Sequence, residues 1–172
     1  MDIKKATQQD ASGIAQVHID SWRTTYKNIV PDKFLASLDY EERTTRWERI
    51  ISEGSVYIAE TDDGKIVGFS SGGKEREGKY DGYDGELYAI YIFREYQGQG
   101  IGKKLVKPVA DELSEAGFKS MLVWVLKDND ASYFYEKLGG RYLDTSDITI
   151  AGAKLTGIAY GWPDINELTE EK

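Results

Sequence analysis

The sequence predicts an α/β fold, with about seven strands and four helices in one domain covering residues 1–172. Three observations carry this. Short runs rich in β-branched and aromatic residues, such as ELYAIYIF at 86–93 and SMLVWVL at 120–126, have strand length rather than helix length. Longer stretches between them place apolar residues three or four positions apart, the spacing of one helical face. Turn chemistry separates the elements. Asp63-Gly64 supplies the positive φ angles of a tight hairpin, and glycines follow two of the helical stretches, at Gly117 and Gly139.

Each element has its own reason. DIKKA at 2–6 reads as a first strand. Asp10 can cap a helix whose face carries Ile14, Val17, His18 and Trp22. Residues 23–40 are mixed and interrupted by Pro31. A second helix fits 41–51, with Trp47, Ile50 and Ile51 inward. SVYIAET at 55–61 alternates as a strand, DDGK turns, and IVGFSSG at 66–72 returns. KEREGKYDGYDG at 74–85 is polar and glycine-rich and is expected to be a mobile loop. The strand 86–93 is apolar enough to be buried on both faces. A helix over 101–116 aligns Ile101, Leu105, Val109 and Leu113; Pro108 inside it should kink it or loosen one turn. A buried strand at 120–126, a short helix at 130–138, and two strands at 141–150 and 154–162 complete the chain.

Composition narrows the chemistry. The chain has no cysteine, so disulfides, a cysteine nucleophile and thiolate metal sites are excluded. One histidine, His18, leaves no multi-histidine metal site, and no metal is expected. No apolar run approaches the ~18 residues of a membrane span, and the N-terminus lacks a signal-peptide pattern, so a cytoplasmic protein is expected, with no membrane partner. The net charge of −8, with cations scattered among acids, argues against nucleic acid and is compatible with a cationic substrate.

The stretch YQGQGIGKKLV, 96–106, carries the function. Glycine costs a helix roughly 1 kcal/mol relative to alanine, so three at a helix start mark a backbone that must be bare. Bare N–H groups at a helix N-terminus bind anions, usually phosphate. The Walker pattern G-x-x-x-x-G-K-[ST] fails at Gln97 and Lys104; the dinucleotide pattern G-x-G-x-x-G fails at Lys103. The pattern Q-x-x-G-x-G is met by Gln97, Gly100 and Gly102. It resembles the pyrophosphate motif of the GNAT superfamily of acyl-CoA N-acyltransferases. DNDASYFYEKLGG at 128–140 resembles a second segment of that family, and ATQQDASGIAQVHIDSW its opening strand and helix. Arg94 stands where many members have proline.

The resemblance implies a mixed, mostly antiparallel sheet of about seven strands flanked by about four helices. It implies acetyl-CoA as acyl donor and an amine as acceptor, and a homodimer is compatible with it. The donor's pyrophosphate would meet the loop at Gln97, Gly98, Gln99, Gly100, Ile101, Gly102 and Lys103, with Lys104 adding charge. Its pantetheine arm would pair with the backbone of Ile90, Tyr91 and Ile92. Asn129 matches a family asparagine near that arm, or caps a helix. Tyr135 matches the tyrosine that donates to the coenzyme A sulfur, and a phenol with a reference pKa of about 10 is protonated at neutral pH. Glu86 stands where members place a carboxylate that deprotonates the amine, often through water; otherwise it is a strand-end acid in solvent.

His18 is the chemical rival as base, but its helical face suits packing better. Trp22, Tyr26 and Trp47 line the acceptor pocket or belong to the core. Two functions of different class follow: an N-acetyltransferase, favoured by the presence of Tyr135, and a silent acyl-CoA sensor or regulatory module of the same fold. If Asp81, Asp84 and Glu86 surround the acceptor entrance, a cationic amine is preferred.

Overall fold

The computed structural model describes residues 1–169. Seven strands form one sheet: β1 (Asp2–Lys5), β2 (Ser55–Glu60), β3 (Ile66–Lys74), β4 (Gly85–Ile92), β5 (Met121–Leu126), β6 (Arg141–Ile150) and β7 (Ala153–Trp162). Their order is β1-β2-β3-β4-β5-β7-β6, antiparallel throughout except for the parallel pair β4–β5. The helices are α1 (Ala11–Thr25), α2 (Asp32–Ser37), α3 (Tyr40–Glu53), α4 (Ile101–Glu115), α5 (Ala131–Lys137) and α6 (Asn166–Thr169). The four longer ones are those the periodicity predicts. The short α2 and α6 are additions; α2 starts directly after Pro31, whose φ of −57° suits a helix entry.

The sheet is covered on both faces. Leu87 of β4 and Met121, Val123 and Val125 of β5 pack against Val106, Val109 and Leu113 of α4. On the other face Val56, Ile58 and Phe69 meet Ile14 and Val17 of α1 and Trp47 of α3. Trp47 is buried as expected, whereas Ile50 and Ile51 are only half-buried. The helix α4 continues through Pro108, and the buried Ser70 of β3 donates to the Leu105 carbonyl at 2.8 Å, tying helix to sheet.

The 75–84 loop is not the free excursion expected. Tyr80 donates to Asp144 of β6 at 2.6 Å, and the Glu75 carboxylate accepts from the backbone of Glu77 and Gly78. Tyr83 lies so close to Gly161 that a Cβ there would sit 2.5 Å from its ring. Asp84 accepts from the Lys119 and Ser120 amides and from the Ser120 hydroxyl. Burial raises the Asp84 carboxyl, but those donors outweigh it and hold the group below its usual range. Asp84 is therefore a structural acid at the start of β5, not part of an acidic entrance.

Candidate active site

A cleft opens where β4 and β5 part. Their parallel ladder covers only Gly85–Met121, Glu86–Leu122 and Leu87–Val123. Beyond it β4 runs on to Ile92 without pairing to β5. A bulge marks the departure: Ser71 pairs with Ala89 and Gly72 with Leu87, leaving Tyr88 as the extra residue. Gly72 has no room for a side chain, because a Cβ would lie 2.8 Å from the Glu86 carbonyl and 2.5 Å from Val109. The bulge also lets Leu87 face α4 while Ala89 and Tyr91 face α1.

The cleft is a cavity of about 770 Å³. Ile90 and Ile92 line it from β4, Ser21 from α1, and Asn129 and Phe134 from the β5–α5 segment. Its end is the glycine loop. Gly98 and Gly100 have φ of +78° and +82°, the left-handed region that suits glycine. They turn the chain directly into α4, whose first-turn N–H groups have no carbonyl within the helix to bond. Gly102 lies inside α4, where a Cβ would meet the Phe134 ring at 3.0 Å. The Gln97 side chain donates to the Ile92 carbonyl at 3.0 Å and so pins the loop to the end of β4.

Gln97, Gly98, Gly100, Ile101, Gly102, Lys103, Ile90, Ile92 and Asn129 all line this one cavity. Gln99 does not; it is exposed and donates to the Glu95 carbonyl at 3.4 Å. Lys65, Arg94, Glu95 and Lys103 stand beside the loop, and Asp20, Asp128 and Asp130 belong to α1 and the β5–α5 turn. Lys65, from the β2–β3 hairpin, rests over the rings of Phe93 and Tyr96 at 5.5 and 5.9 Å. Neither Lys65 nor Ser21 was anticipated. The buried Ser21 hydroxyl has no partner among the described residues, and nothing in a lone serine's sequence context signals that.

Tyr135, Asn129, Tyr91 and Tyr26 form a cluster behind the cavity. The Asn129 carboxamide is used at both ends: its oxygen accepts from the Ala131 amide at 2.9 Å and its nitrogen donates to the Tyr26 hydroxyl at 3.1 Å. It thus caps α5 and holds α1 at once. Tyr26 is 3% exposed, and the neighbouring Tyr91 ring stacks on His18. Tyr26 and Trp47 are core residues. Tyr135 is 4% exposed, set among Phe134, Tyr160 and Trp162, and no hydrogen bond engages its hydroxyl among the described residues. Burial, with Tyr26 nearby, raises its pKa above the ordinary phenol value.

Glu86 is not a solvated strand end. It is 2% exposed and lies in the last ladder residues before the strands part. Its carboxylate accepts from the Arg76 guanidinium at 2.7 Å and from the Arg76 amide at 3.2 Å. Arg76 in turn lies over the Tyr88 ring at 4.3 Å. His18 accepts at Nδ1 from Trp47 Nε1 (3.1 Å), with Arg43 at 3.3 Å from the same atom. Burial first, then Arg43 and Arg46, lower its pKa to about 3. A packed, neutral histidine with its lone pair engaged is a poor base, as its helical face suggested. Among the described residues no cluster of histidine, cysteine or carboxylates can hold a metal, and no helix is long and apolar enough to cross a membrane.

The acetyltransferase (GNAT) family model matches residues 19–140. The chain is 40% identical over 166 residues to an uncharacterized N-acetyltransferase, YuaI, of Bacillus subtilis (strain 168), covering 96% of this chain and 95% of that one. Its fold is similar to PaiA N-acetyltransferase of Thermoplasma acidophilum, solved with coenzyme A, at a TM-score of 0.72 and 21% identity, covering 91% and 96% of the two chains. It is similar also to YncA of Salmonella typhimurium, solved with its cofactor acetyl-CoA, at a TM-score of 0.70 and 22% identity over 100% and 95%.

Proposed function

Since the chain belongs to the acetyltransferase (GNAT) family, we propose that it transfers the acetyl group of acetyl-CoA to a primary amine of a small molecule or peptide. The observation that carries this is the single cavity that joins the splayed end of β4 to the left-handed Gly98 and Gly100 at the start of α4. That shape suits a ligand with a long arm and a pyrophosphate. The loop amides receive the pyrophosphate, with Lys103 beside them. The unpaired backbone of Ile90, Tyr91 and Ile92 receives the amides of the arm.

The thioester supplies an activated acyl carbon. Glu86 takes a proton from the acceptor's ammonium, through water, so that a neutral amine nitrogen can attack. A C–N bond forms and the C–S bond breaks. Tyr135 donates to the departing sulfur, which leaves as the free thiol, and the second proton, shed by the new amide nitrogen, restores the phenol.

Calorimetry and a thiol-release assay against an amine panel test this. Acetyl-CoA should bind the wild type, and Gly100→Val, which puts a branched side chain at φ +82°, should lose that binding while remaining folded. Unchanged affinity in folded Gly100→Val moves the pyrophosphate elsewhere. Binding without thiol release for any amine makes the protein an acyl-CoA sensor instead.

A further inference from the structure

Ser21 is a polar residue on the side of α1 that packs against the sheet. Ile14 and Val17 occupy that side one and two turns before it, and they are covered by Val56, Ile58 and Phe69. One turn after Val17 the cover gives way to the cleft. Ser21, 6% exposed, lines the cavity there together with Ile90 and Ile92 of β4.

Its hydroxyl is the anomaly. Serine and threonine inside a helix commonly return the hydroxyl to the carbonyl four residues back. Thr24, another lining residue, does so, donating to the Asp20 carbonyl at 3.0 Å. Ser21 does not: its oxygen is shielded from water and has no partner. The polar groups around it are engaged elsewhere. Asp20 accepts from the Tyr40 hydroxyl, and the Asn129 carboxamide is used at both ends. Among the described residues, Ser21 is the only lining residue whose side chain carries a buried, unpartnered polar atom. An unpaired hydroxyl in the interior is destabilising, so for stability alone alanine serves better at this position. No bond fixes its rotamer either. Turning about the Cα–Cβ bond toward the cavity forfeits no hydrogen bond.

The cavity contains the glycine loop and the free edge of β4 but not Glu86. A group that turns into it therefore meets the acyl donor rather than the amine. The donor's phosphates have the loop amides and Lys103. Between them and the thioester lies an uncharged arm with amides and a hydroxyl. The backbone of β4 pairs with one edge of that arm and leaves its other side open. A serine hydroxyl, donor and acceptor at once, suits a polar group on that open side.

We infer that Ser21 is a donor-binding residue, its hydroxyl bonding the pantetheine arm from the α1 side of the cleft. The inference rests on the acetyltransferase reading above and adds a residue to its donor site. The hydroxyl weakens the empty chain and is satisfied only when the arm is in place.

The test compares the full-length wild type with Ser21→Ala by calorimetry against acetyl-CoA, coenzyme A and adenosine 3′,5′-bisphosphate, which lacks the arm. Ser21→Ala should bind acetyl-CoA and coenzyme A roughly 3- to 10-fold more weakly, the size of one neutral hydrogen bond. The bisphosphate should bind both proteins equally. The ligand-free variant should melt no lower than wild type, and its KM for the amine should not move. Unchanged affinity for all three ligands would make Ser21 a packing residue and overturn the inference. A loss shared by the bisphosphate would move the hydroxyl to the phosphates, and a loss confined to acetyl-CoA would move it to the acetyl group; each overturns it. So does a raised amine KM with donor affinity unchanged, or a lower melting point, which would reveal a partner within the folded chain. In all these cases the acetyltransferase reading stands. No binding of acetyl-CoA to the wild type would bring down both.

Discussion

At the scale of single residues, Tyr135 is defined by what surrounds it. A phenol is a weak acid in water, and burial among Phe134, Tyr160 and Trp162 makes this one weaker. It therefore stays protonated across the working pH range, with its hydroxyl unengaged. Under the proposed function, such a group would share its proton with the leaving thiolate. Tyr135→Phe should lower turnover by about 10²- to 10⁴-fold, and calorimetry should show acetyl-CoA affinity little changed. Equal turnover of the two proteins would assign the proton to water. Tyr135 was named as a candidate from the sequence because its segment, DNDASYFYEKLGG, resembles one of the family's. Arg76 was not. It reaches Glu86 across a polar loop of no periodicity, and composition alone made that loop look acidic rather than paired. Gly102 was legible as a glycine at the helix start, but its closeness to the Phe134 ring was not, because that ring comes from α5, a separate element.

At the scale of elements, the long helices and all seven strands follow from periodicity, while α2 does not. Six residues give too little of a helical period to see, and Pro31 looked like an interruption rather than an entry. The packing of α1 on α3 has a pH signature. Their contact holds His18 neutral, with Trp47 of α3 donating to it. The unfolded chain binds a proton near pH 6.5 and the folded chain only near 3, so between these values the unfolded state holds more protons. Stability from this residue is thus complete above pH 6.5 and is lost as pH falls, at up to about 1.4 kcal/mol per pH unit. Denaturant unfolding from pH 7 to 4 should show wild type losing stability faster than His18→Gln, the gap between them changing with pH. A pH-independent gap would mean that the histidine is solvated.

At the scale of the whole molecule, periodicity gives neither the sheet order nor the parting of β4 from β5; the parting was expected only as what the family resemblance implies. ELYAIYIF reads as one continuous buried strand, and nothing within it marks where its neighbour departs after Leu87. Bulge and cleft are properties of pairing, which one strand's residues do not encode. This parting has a consequence for the lifetime of the folded chain. The ligand-free protein carries a raw strand edge in its own interior, with backbone donors and acceptors that only solvent or a guest can satisfy. Under the proposed function a donor molecule lying along it would act as an eighth strand, and anything that binds only the folded state stabilises it by mass action, about 2.7 kcal/mol at a hundredfold excess over its dissociation constant. Thermal unfolding should therefore shift upward with acetyl-CoA and also with its pantetheine fragment, which has no pyrophosphate to contribute. A shift confined to the nucleotide half would place the gain at the loop alone. With the strand edge as its source, the amount of intact protein in a starved cell would follow the supply of the acyl donor.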